Sequence, residues 1–137
     1  MKKNKIDFNF VSPKLDRRDI NFLLNNILKQ EIPNEGKYTR EFEKKIAKLL
    51  KIKYVVATTS GTIAIYLALK SLNIKNGDEI IVPNITFAAT VNAVSLAGAK
   101  PILVDINKND LLIDTEKLKR KINKKTKAII TVHVSGR

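Results

Sequence analysis

Cysteine and tryptophan are both absent from the 137 residues. Without cysteine there is no disulfide framework, no thiolate metal site and no cysteine nucleophile, a usage that fits a reducing compartment. Histidine occurs once, at His133, which excludes a pair of histidines as metal ligands. No apolar run approaches the length that spans a bilayer, and Met1 to Asp7 lacks the apolar stretch of a signal peptide. A cytoplasmic protein with no membrane partner is the expectation. Also missing are a G-x-G-x-x-G after a strand and a G-x-x-x-x-G-K-[ST], so neither a dinucleotide fingerprint nor a P-loop is present.

Acidic residues are scarce, 13 against 26 basic, for a net charge of +13. Where that charge sits decides what it means. Residues 1–51 carry 13 basic and 7 acidic side chains, 52–99 carry 3 and 2, and 100–137 carry 10 and 4. The densest run, Lys117 to Lys127, is interleaved with Leu118, Ile122 and Ala128 and has no aromatic residue to stack on bases. It reads as a solvated helix face, with no nucleic-acid partner expected.

What is present is 44% hydrophobic residues, enough for one real core. After an extended Phe8–Val11, Ser12 and Pro13 predict a helix start, with an N-cap and proline at the first helical position. Ile20, Leu23, Leu24, Ile27 and Leu28 then mark one face of a helix reaching about Lys29. A loop containing Pro33, Asn34 and Gly36 precedes a second amphipathic helix from about Arg40 to Lys51. From Lys53 the pattern changes to short apolar runs alternating with helical segments, the signature of parallel βαβ units. Strands are predicted at Tyr54–Thr58, Glu79–Val82, Pro101–Val104 and Lys127–Val134, apolar enough for burial on both faces. Helices are predicted near Thr62–Leu72, Phe87–Ala97 and Thr115–Ile122, with Gly98 as a helix stop and Asp114 as an N-cap. Lys75-Asn76-Gly77-Asp78 is turn chemistry.

In an open α/β sheet, ligands sit outside the carboxyl ends of the strands. Three segments fall there. Thr59-Ser60-Gly61-Thr62 offers an anion cradle at a helix start, where backbone N–H groups have no helical partner. Pro83 to Phe87 offers an aromatic ring, and Asp105-Ile106-Asn107 a carboxylate. His133 ends the fourth predicted strand, either hydrogen-bonded as a structural residue or available as a catalyst.

The order and spacing of these segments resemble a known family. Ala57 to Thr62, Gly77 to Pro83, Thr86 to Val94, Gly98 to Asp105, Ile113-Asp114, Thr126 to Ile130 and Val132 to Gly136 are similar to the opening of the PLP-dependent sugar aminotransferases of the DegT/DnrJ/StrS group. Glu35 to Glu43 resembles the family's glycine-containing entry to its second helix. The resemblance implies an α/β chain forming the N-terminal part of the PLP-dependent transferase type I fold, a mostly parallel sheet flanked by helices. Residues 1–52 would be an N-terminal helical segment, which in such proteins packs near the active site and dimer interface. Residues 53–137 would be the first part of the PLP-binding large domain.

The same resemblance implies pyridoxal 5'-phosphate as cofactor. Ser60, Gly61 and Thr62 would cradle its phosphate, and Phe87 would stack on its ring. The implied reaction moves an amino group from an amino-acid donor, usually glutamate, to a nucleotide-linked keto sugar in polysaccharide or glycoconjugate biosynthesis, by a homodimer with no metal. The family's Schiff-base lysine and the carboxylate that pairs with the pyridinium nitrogen lie beyond the segment matching His133 to Gly136, and Lys100 and Lys127 do not match that lysine. The 137-residue chain is therefore expected to be a fragment, inactive as an aminotransferase, and poorly folded alone because its first strand would lack partners. Two other readings stay open: a sugar dehydratase of the same fold using PLP or PMP, and a small α/β module that binds a phosphorylated ligand or nucleic acid.

Overall fold

A computed structural model describes residues 15–28 and 36–136, which divide into two compact units at Val55/Val56. The first unit holds α1 (Arg17–Leu28) and α2 (Lys37–Leu50). The expected strand at Phe8–Val11 and the helix start at Ser12-Pro13 lie outside the described residues. Within them, the first turn of α1 is capped by Asp16, whose Oδ1 accepts from the N–H of Arg18 at 2.7 Å and of Asp19 at 3.0 Å. The Tyr38 hydroxyl donates to Asn26 Oδ1, and the Phe22 and Tyr38 rings meet edge to face with centroids 5.6 Å apart. Neither helix contains a buried residue. Helix α2 ends at Lys51 in the left-handed conformation, its N–H reaching back to the carbonyls of Ala47 and Lys48.

The second unit contains α3 (Gly61–Ser71), β1 (Glu79–Pro83), α4 (Ala89–Leu96), β2 (Lys100–Val104), α5 (Thr115–Lys121) and β3 (Thr126–Ile129). The strands form one parallel sheet in the order β2-β1-β3. β1 registers with β2 from Glu79↔Lys100 to Pro83↔Val104, and with β3 at Ile80↔Ala128 and Ile81↔Ile129, with an irregularity beside Glu79. Ile80, Ile81 and Val82 are fully buried at its centre. Leu69, Ile74, Val94, Ala97 and Ala99 close over Ile80 and Val82. Burying each of the larger of these side chains stabilises the fold by about 1.5–3 kcal/mol.

Three expectations are corrected. Tyr54–Thr58 forms no strand: it is not part of the described sheet, and β propensity alone does not make a strand. Burial on both faces holds for β1 alone. β2 and β3 lie outside it, and Leu103 and Ile129 are 54% and 40% exposed. The fourth run also ends as a strand earlier than expected, at Ile129, with one further bond from the Ile130 N–H to the Ile81 carbonyl at 2.9 Å.

Local signals fared better, because they act over a few residues. Asp114 caps α5, its Oδ1 accepting from the N–H groups of Glu116 and Lys117, each at 3.0 Å. Gly98, at φ 90°, follows α4 and lets the N–H groups of Gly98 and Ala99 return to Ser95 and Val94. A side chain at that φ would be strained.

Candidate cofactor-binding site

Helices α3 and α4 pack on each other, and each is joined by its C-terminal end to the amino end of a strand, α3 through residues 72–78 to β1 and α4 through 97–99 to β2. α4, which links the carboxyl end of β1 to the amino end of the parallel β2, therefore runs against the strand direction with its N-terminus on the carboxyl side of the sheet, and α3 packs on it. That side is where the sequence puts its candidates.

The turn into α3 is built by Ser60. Its backbone is extended, at φ −163° and ψ 160°, and its Oγ accepts from the Ile63 N–H at 3.3 Å. Its carbonyl accepts from the Ala64 N–H at 3.0 Å and from the Thr58 hydroxyl at 3.0 Å. The N–H groups of Gly61 and Thr62 have no partner among the described residues. A Cβ added at Gly61 would meet nothing within 4 Å, so packing inside the chain does not demand glycine there. What glycine does is leave the backbone bare on the exposed side of a positive helix end, the arrangement that lets an anion approach closely.

Phe87 stands in the connection between β1 and α4, with its side chain 82% exposed. Its carbonyl accepts from the Thr90 N–H at 3.0 Å. The Thr86 and Thr90 hydroxyls lie 2.9 Å apart, Thr90 itself being buried. The ring is thus presented to solvent by a segment that is itself pinned.

Asp105 follows β2 and is engaged on both oxygens. Oδ1 accepts from Asn84 Nδ2 at 2.7 Å and Oδ2 from Lys117 Nζ at 2.8 Å. The hydrogen bond and charge of Lys117 hold the Asp105 carboxyl below its ordinary range, and the same bond raises Lys117 above its own. A cavity of about 270 Å³ opens beside them, lined by Leu103, Val104, Asp105, Lys117, Arg120 and Lys121. Lys117 is therefore not simply part of a solvated face, although Lys119, paired with Glu116 at 2.8 Å, is. Nothing in the sequence pairs Asn84 or Lys117 with Asp105 beyond their nearness to strand and helix ends. Among the described residues there is no cluster of acidic or histidine side chains fit to hold a metal, and no helix is long and apolar enough to cross a membrane.

The parallel sheet flanked by helices superposes on solved PLP- and PMP-bound enzymes. A Streptococcus pneumoniae protein assigned as a sugar aminotransferase, solved in its PMP form, matches with a TM-score of 0.86 and 30% identity over 94% of this chain and 32% of that one. The Escherichia coli GDP-4-keto-6-deoxy-D-mannose-3-dehydratase, solved with hydrated PLP, matches with a TM-score of 0.81 and 31% identity over 91% of this chain and 33% of its own. The chain belongs to the DegT/DnrJ/EryC1/StrS aminotransferase family, whose profile matches residues 14–137. GDP-perosamine synthase of Vibrio cholerae is 40% identical over 124 residues, 90% of this chain and 34% of that enzyme. The chain thus spans about a third of the length of that curated relative.

Proposed function

We propose that this chain supplies the phosphate cradle and ring platform of a PLP-dependent enzyme that transfers an amino group from an amino acid, glutamate in the first instance, to a nucleotide-linked keto sugar. The observation that carries the reading is the start of α3. Gly61 and Thr62 offer two unpaired N–H groups with open space above Gly61, which fits a phosphate. Ser60 holds those groups in place by capping the helix, and Thr62 would add a hydroxyl donor to the phosphate. Phe87 gives an exposed flat ring for the cofactor's apolar face, and shields that face from water. When bound, the cofactor supplies the electron sink for amino transfer. The lysine and carboxylate that complete such a site would come from sequence matching the remaining two thirds of the relatives. Residues 1–52 would form the N-terminal segment and 53–137 the start of the cofactor domain, in a cytoplasmic homodimer that feeds polysaccharide or glycoconjugate synthesis.

The dehydratase reading is kept beside it, because the solved dehydratase is about as similar to this chain as the aminotransferase is. The residue at the position of the Schiff-base lysine discriminates between the two.

The cradle is tested with pyridoxamine 5'-phosphate, which lacks the aldehyde that would react with the chain's many surface lysines. Equilibrium dialysis should give saturable binding, weakened about tenfold by Phe87→Ala, the loss expected for one aromatic stack. Gly61→Val should weaken it at least as much. Equal binding by parent and both variants would overturn the assignment. Salt-sensitive binding of an oligonucleotide with no binding of pyridoxamine phosphate would favour the small binding module instead.

A further inference from the structure

Phe87 is a large apolar ring left exposed, and a loop that holds such a ring steady must be fixed by something other than the ring's own burial. The structure supplies two pins. On the far side, the Thr86 and Thr90 hydroxyls and the Phe87 carbonyl tie the loop to the first turn of α4. On the near side, Asn84 is held twice: its N–H donates to the Val104 carbonyl at 2.8 Å, and its Nδ2 donates to Asp105 Oδ1 at 2.7 Å. Asp105 is fixed in turn from the next element. Lys117 of α5 donates to its Oδ2, and its carbonyl accepts from the Asp114 N–H at 2.9 Å.

We propose that Asp105 is a positioning residue which, through Asn84, sets the 84–88 loop so that Phe87 is presented in one orientation to a flat aromatic ligand. The proposal rests on the reading of Phe87 as the cofactor's ring platform. Its physical basis is preorganisation: a platform already ordered loses less conformational freedom on binding than one ordered by the ligand. A charge-assisted acceptor suits the task, since bonds to a carboxylate are shorter and stronger than those to a neutral oxygen. Asp105 itself bonds to Asn84 and Lys117, and its effect on the ring is exerted through Asn84.

The test is a pair of measurements on the folded protein that carries these residues and on its variants. Hydrogen exchange at the Asn84 and Thr90 amides, followed by NMR, should accelerate about tenfold in Asp105→Ala and in Asn84→Ala, as expected when one link in a local opening unit is lost. The double variant should exchange no faster than either single one, because both remove the same link. Asp105→Asn keeps an oxygen for Asn84 Nδ2 but loses the charge that strengthens that bond and holds Lys117, and should exchange at a rate between those of the parent and Asp105→Ala. The Ala64 amide in α3 should not respond in any of them. Unchanged exchange in Asp105→Ala, or effects that multiply in the double variant, would overturn the proposal. If Asp105→Ala loses the fold, Asp105→Asn and Asn84→Ala carry the comparison, and equal exchange in those two would also overturn it. Binding of pyridoxamine 5'-phosphate separates the two readings. Loop exchange that responds as described in a parent that does not bind keeps the positioning role and removes the cofactor reading. Binding that is intact in Asp105→Ala, with exchange unchanged, does the reverse.

Discussion

Two apolar runs of the same character meet different fates. Ile80-Ile81-Val82 is the centre of the sheet and fully buried, whereas Val55-Val56-Ala57 belongs to no strand and leaves Val56 75% exposed. Both are short apolar runs rich in β-branched residues, so their sequence preferences are alike. The difference lies in neighbours. β1 has β2 on one side, β3 on the other and α4 above it, while no described segment pairs with 54–58. A strand is a property of a ladder, and β propensity did not by itself place 54–58 in the sheet.

The largest expected effect tests the buried side of this contrast. Ile80→Ala should lower stability by about 2–5 kcal/mol, from lost burial and the cavity left behind, measured as a shift of the urea midpoint. Ser60→Ala comes next, at about 1 kcal/mol, because it removes the cap of α3. Val56→Ala should change stability by no more than about 0.5 kcal/mol, as for an exposed side chain away from any special contact. If Val56→Ala costs as much as Ile80→Ala, the contrast is wrong and the 54–58 run is packed.

The smallest effect expected is of pH on the Asp105 link. Its carboxyl is held below its unfolded value, so the stability it contributes is fully present above the ordinary carboxylate range and is lost only as pH falls through the depressed value. Lys117, raised, keeps its charge until pH rises through its own elevated value. Lys121 lies close enough to add to the depression at Asp105, and Asp114 to the rise at Lys117. Exchange at the Asn84 amide, corrected for the intrinsic pH dependence of exchange, should therefore be level from pH 8 to about pH 5 and rise only in stronger acid. A rise near neutrality would mean that another group controls the loop.

Features that depend on a few neighbouring residues were legible in advance. The Ser60 cap, the Asp114 cap and the Gly98 stop each close a hydrogen bond within about one helical turn, and side-chain type alone announces them. In α1 the described cap is Asp16, whose carboxylate accepts from the N–H groups of Arg18 and Asp19. Asn84 and Asp105 are 21 residues apart and meet only because β1 and β2 are adjacent and in register at Pro83↔Val104. Lys117 reaches Asp105 because α5 packs on β2.

The sequence alone determined the helices and the caps at Ser60 and Asp114, the alternation that makes a parallel sheet, the family resemblance, and the small, bare turn at Ser60-Gly61-Thr62, since each is written in local spacing or residue type. Only the tertiary structure decided which apolar run became the central strand, that β2 and β3 lie to either side of it with part of their surface exposed, and that Asp105 is joined to the Phe87 loop. Those outcomes depend on which backbones become neighbours, and adjacency in a sheet is settled by the packing of the whole unit.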